Sequence, residues 1–415
     1  MARAAALAPP VRLEERRLLA SSTASDSARA LDALLSQDPS TVARRIGALW
    51  DGVAGDAAER VVLHGTRQVG LDTLESLRRA GVEPLAFSDN DPSRWFGVLD
   101  GIPVLPPALA VERFGSCAVF VAALFHTEGV LRQLRDLGAR RVAPWTWLYS
   151  GRPEWFLPYW GLDLPDGLLA DRERVAEAAG LWADEESLRV LVEQVRWRTT
   201  IDASVLRPPS PACDTHFDPS LVRLGQAEVL VDCGAFDGDS FQRFVEVVGG
   251  SFRRAHLVEA DPENVARLGR RLAAMPAEIR SAVVVHPVAA GREVGRVPFA
   301  STGSVSSSIQ PGGETTVACV PLDELVLRGE APQEAPTLVK VDVEGAELDL
   351  LSGARRLLSE GSALWSIMAY HRPADLWEIP LHLHEHGDHD LYLRRYAEDC
   401  WETCIYAIPR RRRPA

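Results

Sequence analysis

Between Val231 and Ser240 the chain reads Val-Asp-Cys-Gly-Ala-Phe-Asp-Gly-Asp-Ser, an acidic residue closing an apolar run and two glycines ahead of a helical segment. Gly234 and Gly238 let the backbone turn sharply and approach a ligand that a Cβ would exclude, and the helix start offers free N–H groups. Glu259 ends the next apolar run roughly 20 residues further on, where nucleotide-binding folds place a carboxylate against ribose hydroxyls. The turn is not G-x-G-x-x-G, and its acidic residues would repel a pyrophosphate. A ligand with a ribose, an amine and no phosphate fits better, and S-adenosylmethionine is such a ligand.

A second set lies downstream. Lys340, Asp342 and Glu344 close another strand candidate, and alternation along it would put all three on one side. Tyr370-His371-Arg372-Pro373 follows the next strand and brings an imidazole to the same edge. An imidazole titrates near neutrality, so His371 is the expected proton acceptor for a substrate hydroxyl, with Asp342 orienting it or acting itself. Asp342 and Glu344 could also hold a divalent cation, though metal-free chemistry is the favoured reading. His382, His384, His386 and His389 form a metal-like run near Glu385 and Asp388, read as a solvated segment instead.

These groups need a scaffold that gathers strand ends. Strands are predicted at 229–231, 256–258, 283–285, 338–341 and 364–368, alternating with helices in the manner of a doubly wound parallel sheet. One helix carries Val265, Leu268 and Leu272 on one face, and another carries Leu350, Leu351, Ala354, Leu357 and Leu358. Segments 391–396 and 403–408 read as an antiparallel pair. Upstream, 61–63, a helix over 71–79 and 84–87 ending in Asp89-Asn90 make a β-α-β unit, with further strands at 119–124 and 141–142. The fold class is therefore α/β, with a smaller Rossmann-like domain ahead of a doubly wound one. The expected division is a helical segment to residue 55, the small domain over 56–150, an aromatic connector over 151–214 and the main domain over 215–415. The connector's Trp155, Phe156, Tyr159 and Trp160 read as packing, and its helix starts at the N-cap Asp184.

The chain has 415 residues, more than one hydrophobic core usually organises. A net charge of −13 argues against a nucleic-acid footprint, since the one basic run, Arg410 to Arg413, sits at the C-terminal end. The six cysteines lack the paired spacing of a zinc site and read as reduced thiols, and Pro9, Pro10 and the charges after them interrupt any signal-peptide core. No apolar run spans a membrane. The expected setting is cytoplasmic, with a possible homo-oligomer.

The run 231–240, Glu259-Ala260-Asp261-Pro262-Glu263-Asn264, the segments 303–308 and 320–325, and Leu338-Val339-Lys340-Val341-Asp342-Val343-Glu344-Gly345-Ala346-Glu347 together resemble the FkbM-type methyltransferases. The resemblance covers roughly residues 215–415. It implies a class I methyltransferase fold, S-adenosylmethionine as cofactor and methylation of a hydroxyl on a sugar, glycan or natural-product scaffold. By position it implies that Asp232, Gly234 and Gly238 surround the methionine moiety, with Ala235, Phe236, Asp237 and Ser240 also binding the cofactor. Glu259 would hold the ribose, Ala260 and Asp261 would lie beside the adenosine, and Val288 and Ala289 near the adenine. Phe236-Asp237 stands where members often carry a small polar residue or Asn. Two other readings compete: an inactive nucleotide-sugar-binding or scaffolding protein, and an oxidoreductase or epimerase using the turn from Gly65 to Gly70. The second lacks the glycine spacing and a Tyr/Lys pair.

Overall fold

The computed structural model describes residues 26–125, 127–304, 306–310, 312–327, 335–397 and 399–412. The first half of the predicted N-terminal helical segment, residues 1–25, lies outside them, as do Val305 of the family-like motif and Arg413 of the basic run. Within 26–55 the chain is helical at 26–35 and at Pro39–Ala54, whose Val42, Ile46, Trp50 and Ala54 are buried at helical spacing.

Six strands follow: β1 (Val61–His64), β2 (Ala86–Ser88), β3 (Val98–Leu99), β4 (Ile102–Leu105), β5 (Val119–Ala122) and β6 (Arg141–Pro144). They form one sheet in the order β3-β4-β2-β1-β5-β6, parallel except for the β3–β4 hairpin. Because both faces are covered, β1 and β5 are buried at every position and carry almost only apolar residues.

The main sheet uses β7 (Val229–Cys233), β8 (Arg254–Val258), β9 (Val283–His286), β14 (Leu338–Val341), β15 (Leu364–Met368), β16 (His389–Arg395) and β17 (Thr403–Pro409). Its seven strands run in the order β16-β17-β15-β14-β7-β8-β9. The order reverses between β7 and β14, whose registers set Lys340 beside Asp232 and Val341 beside Cys233. Open α/β sheets bind ligands at such a switch point, outside the carboxyl ends of the strands. The pair β16–β17 is antiparallel, as the alternation at 391–408 predicted.

Three features depart from the sequence reading. A separate four-stranded sheet, β10 (Ala289–Ala290), β11 (Gly295–Ala300), β12 (Ser308–Ile309) and β13 (Thr315–Val320), fills the segment between β9 and β14. Its strand β11 is largely exposed, so it offers little of the apolar alternation that marks a strand. The helix read across Leu350 to Leu358 is two helices, Glu347–Ser352 and Arg355–Glu360. They break at Gly353, where a Cβ would lie 2.0 Å from the Gly291 carbonyl oxygen. The connector is also more firmly built in than a linker. Asp184 caps the helix Glu185–Thr200 and holds Arg394 of β16 at 2.6 Å, while Gln194 donates to Thr403 of β17 at 2.7 Å.

Among the described residues no helix is long and apolar enough to cross a membrane.

Candidate active site

The β7 turn is shaped by its glycines. Gly234 has φ +77°, and a Cβ there would fall 1.7 Å from the Asp342 carbonyl oxygen, so close passage of the turn over the end of β14 requires glycine. Phe236 also lies at positive φ, with the Arg267 guanidinium 5.4 Å from its ring centre. Its N–H donates to Glu259 Oε2 at 2.8 Å, and the Asp261 N–H donates to Oε1 at 2.8 Å. The Asn264 side chain also bonds this carboxylate, and Glu259 stands on the wall of a cavity of about 620 Å³. Burial pushes its carboxyl up against the pull of these bonds.

Behind the turn Asp232 is almost fully buried. It accepts from the Ser240 hydroxyl at 2.6 Å and pairs with Lys340 Nζ at 3.2 Å. Lys340 also donates to the Gly234 carbonyl at 2.7 Å and reaches Asp342 at 3.8 Å. Burial disfavours the ammonium charge, but Asp232 and Asp342 outweigh it and hold Lys340 protonated.

The cavity gathers Gly234, Phe236, Ser240, Glu259, Ala260, Val288 and Ala289 of the expected cofactor set with Lys340, Asp342 and Glu344. Asp232 stands one residue behind it, through Ser240 and Lys340. Four expected cofactor contacts are not made by this cavity. Ala235 packs into the core, and the Asp237 carboxylate instead binds Arg271 at 2.6 Å. Gly238 faces Leu268, which a Cβ would meet at 2.8 Å. Asp261 is fully buried. It caps the helix Pro262–Ala273 and anchors the 301–307 loop through Ser301 at 2.8 Å and Ser307 at 2.6 Å.

Glu344 reaches the cavity differently from the strand alternation expected of it. It lies beyond the end of β14 at φ +55°, in a left-handed turn that folds its carboxylate back toward Asp342. His371 is deeper still: 5% exposed, with Nδ1 2.8 Å from Glu347 and Nε2 3.5 Å from Asp342 and 3.6 Å from Glu344. Burial lowers its basicity, but the three carboxylates overcome that and push the ring up to about 10. His371 does not line the cavity, and the three carboxylates around its ring come from positions that sequence spacing does not mark as its neighbours.

Sequence reasoning missed several cavity residues. Glu402 precedes β17, lies at positive φ and accepts from the Tyr370 hydroxyl at 3.3 Å. Burial and the negative charge of Asp342 push its carboxyl up to about 7. Asn264 and Ser306 to Ser308 line the cofactor side, and the Asn264 side-chain oxygen is buried without a partner. Phe125 comes from the loop after β5 and stacks on Trp160, with ring centres 5.8 Å apart, and Trp401 meets both edge-on. Of the connector aromatics, Trp160 therefore lines the cavity as well as packing. By contrast, His382 and His386 stack on one helix, His384 is exposed and His389 is buried in β16. Among the described residues they form no ligand cluster with a third metal-binding side chain.

Residues 232–400 match the family model described as the methyltransferase FkbM domain. No curated protein matches the chain. Among solved structures the chain is similar to the methyltransferase FkbM from Methylobacillus flagellatus KT, at TM-score 0.73 and 24% identity over 93% of this chain and 99% of that one. That likeness covers both sheets and speaks to the fold. Aeropyrum pernix fibrillarin, solved with natively bound S-adenosyl-L-methionine, is similar at TM-score 0.31 and 15% identity over 47% of this chain and 73% of that one. The precorrin-6y C5,15-methyltransferase of Geobacter metallireducens GS-15 is similar at TM-score 0.28 and 15% identity over 46% and 82%. Both likenesses are too slight to bear on the site. The switch-point cavity is thus built largely from the segment, residues 232–400, that matches the methyltransferase FkbM domain.

Proposed function

We propose that the protein is an S-adenosylmethionine-dependent O-methyltransferase acting on a hydroxyl of a polyhydroxylated small molecule such as a sugar, glycan or natural-product scaffold. The observation that carries this reading is one continuous cavity with a ribose-ready carboxylate, Glu259, at one part of its wall and an acidic floor with an aromatic wall at another. The residues present fit the cofactor. Glu259 faces the cavity with its carboxylate, Ala260, Val288 and Ala289 offer apolar contact for an adenine, and Ser240 is held by Asp232 where a methionine end would lie.

When bound, S-adenosylmethionine supplies a methyl group on a sulfonium whose charge is lost as the methyl leaves. Asp342, whose burial is outweighed by the charge of Lys340, stays ionised and gives the cavity negative charge that suits such a cation. Phe125, Trp160 and Trp401 form a wall on which the apolar face of a sugar ring can lie, with hydroxyls toward Asp342. Glu402 is the proposed proton acceptor. It faces the cavity, is held by Tyr370, and its carboxyl at about 7 is matched to proton transfer near neutral pH. Lys340 and His371 are positioning residues that fix Asp342 and Glu344.

The division into a small domain over 56–150, a connector over 151–214 and a main domain over 215–415 is part of the same proposal, with Phe125 as the small domain's contribution to the acceptor wall. The net charge of −13 favours a small-molecule acceptor over a nucleic acid, and a cytoplasmic setting suits its cofactor. Incubation with methyl-labelled S-adenosylmethionine and a panel of glycans and polyhydroxylated natural products tests the reading by mass spectrometry. The expected result is label on an acceptor oxygen. Tight cofactor binding with no label on any acceptor would favour an inactive binding protein.

A further inference from the structure

We propose that Asp342, Glu344 and His371 form a binding site for a divalent cation of the Mn²⁺ class at the floor of the cavity. One ligand atom from each lies within 4.8 Å of the other two, and the His371 Nε2 distances to the carboxylates are 3.5 and 3.6 Å. Donors about 2.1 Å from a cation sit about 3 Å from one another when adjacent, so a small contraction closes the set.

The second observation is the state of the ring. His371 Nε2 and Asp342 Oδ1 are both buried and without a hydrogen-bond partner, and they point at each other. Such groups need an explanation, since nearly all buried polar atoms are satisfied. Glu347 supplies the rest of the reasoning. Its Oε1 accepts from the backbone N–H of Val343 at 3.1 Å and of Gly345 at 3.3 Å, so the imidazole nitrogen 2.8 Å away must be the donor. With Nδ1 carrying its proton toward a buried carboxylate, Nε2 is the atom left for a metal. A carboxylate bonded to the far nitrogen of a histidine is the arrangement that orients and sharpens metal-binding imidazoles.

Charge points the same way. Asp342, Glu344 and Glu347 converge on one ring, and Lys340, 3.8 Å from Asp342, is shared with buried Asp232 at 3.2 Å. A divalent cation among these side chains would lie between the two cavity-facing carboxylates and the ring. Two carboxylates with one imidazole suit Mn²⁺ or a similar borderline ion better than Mg²⁺ or Ca²⁺, which take oxygen donors.

The role follows if the methyl-transfer reading holds, on which this part rests. Three protein donors leave coordination positions toward the cavity, because Asp342 and Glu344 line it while His371 lies behind them. A hydroxyl oxygen bound there becomes more acidic, and its proton passes to the Glu402 carboxylate as the alkoxide forms.

Mn²⁺ alone is the probe, titrated into the full chain and followed by calorimetry and by electron spin-echo spectroscopy for nitrogen coupling to the metal. One ion per chain with micromolar affinity and a nitrogen coupling is expected. The coupling should vanish in His371→Gln, and affinity should fall at least tenfold in Glu344→Gln and in Asp342→Asn. Glu344 is partly exposed, so its variant keeps the test valid if removal of buried His371 impairs folding. Absence of stoichiometric binding up to millimolar Mn²⁺, or binding that Glu344→Gln and Asp342→Asn leave unchanged, overturns the site. S-adenosylmethionine titrated separately isolates the cause. Cofactor binding without Mn²⁺ binding overturns only the metal site. Mn²⁺ binding lost as above in the variants, with no cofactor binding, upholds the site and removes the methyl-transfer reading.

Discussion

The molecule contains two β-α-β turns of the same layout, one at Gly65 and one at Gly234, and they use their downstream carboxylates in opposite ways. In the N-terminal sheet Asp89 Oδ2 accepts from both the N–H, at 3.1 Å, and the hydroxyl of Thr66. Arg94 closes over that hydroxyl and the Thr66 carbonyl, at 3.1 Å from the latter. The Asp89 carboxylate is thus engaged by its own turn and, on Oδ1, by the Asp91 N–H at 2.9 Å, while the guanidinium covers Thr66. In the C-terminal sheet Glu259 accepts one backbone amide on each oxygen and still stands on the cavity wall. The topology alone does not make a nucleotide site. What differs is that the Thr66 hydroxyl also occupies the first carboxylate, whereas Glu259 stands on a cavity wall.

The contrast can be broken in several places, and the largest effect belongs to the chemistry of the second turn's cavity. Glu402→Gln should lower kcat by on the order of 10²- to 10⁴-fold, the scale of losing a general base, with cofactor affinity nearly unchanged. Single-turnover rates with one accepted substrate check this, and a variant within a few fold of wild type would remove Glu402 from proton transfer.

Next comes the buried ion pair that supports the second turn and has no counterpart under the first. Lys340→Met leaves Asp232, 1% exposed, without its cation, and should cost about 3–5 kcal/mol of unfolding free energy. Urea unfolding measures it. A loss below about 1 kcal/mol, the scale of an exposed pair, would show that Asp232 is neutral in the folded protein.

At the small end, the first turn should bind no dinucleotide. Titration of the full chain with NAD and NADP is expected to show no saturable binding at micromolar concentrations. Micromolar affinity that falls in Asp89→Ala would revive an oxidoreductase reading and erase the distinction between the turns.

The same contrast shows what sequence could and could not reveal. The five parallel strands of the main sheet and its antiparallel edge were legible because buried strands are short apolar runs. Asp232, Gly234 and Glu259 were legible because spacing along a β-α-β unit fixes where a turn and the next strand end must meet. Asp261 and Asp237 fit the same pattern and yet cap a helix and bind Arg271, since spacing does not report the direction of a side chain. Glu344 depends on a left-handed turn, and Glu347 meets His371 from a different element, so neither contact has a periodic signature. Glu402 and Phe125 arrive from opposite ends of the chain, and only the packing of the two sheets brings them to one cavity.

The central claim is that Glu259 presents its carboxylate to the ribose of S-adenosylmethionine, and calorimetric titration of that cofactor into wild type and Glu259→Ala tests it most directly. Loss of at least one charge-assisted hydrogen bond should weaken binding by more than about tenfold. The Phe236 and Asp261 amides that Glu259 accepts also lose a partner, so circular dichroism and the urea midpoint must confirm that the variant is folded. Weakened binding in a folded variant is the expected result, and wild-type affinity in a folded variant would contradict the assignment of this cavity to the cofactor.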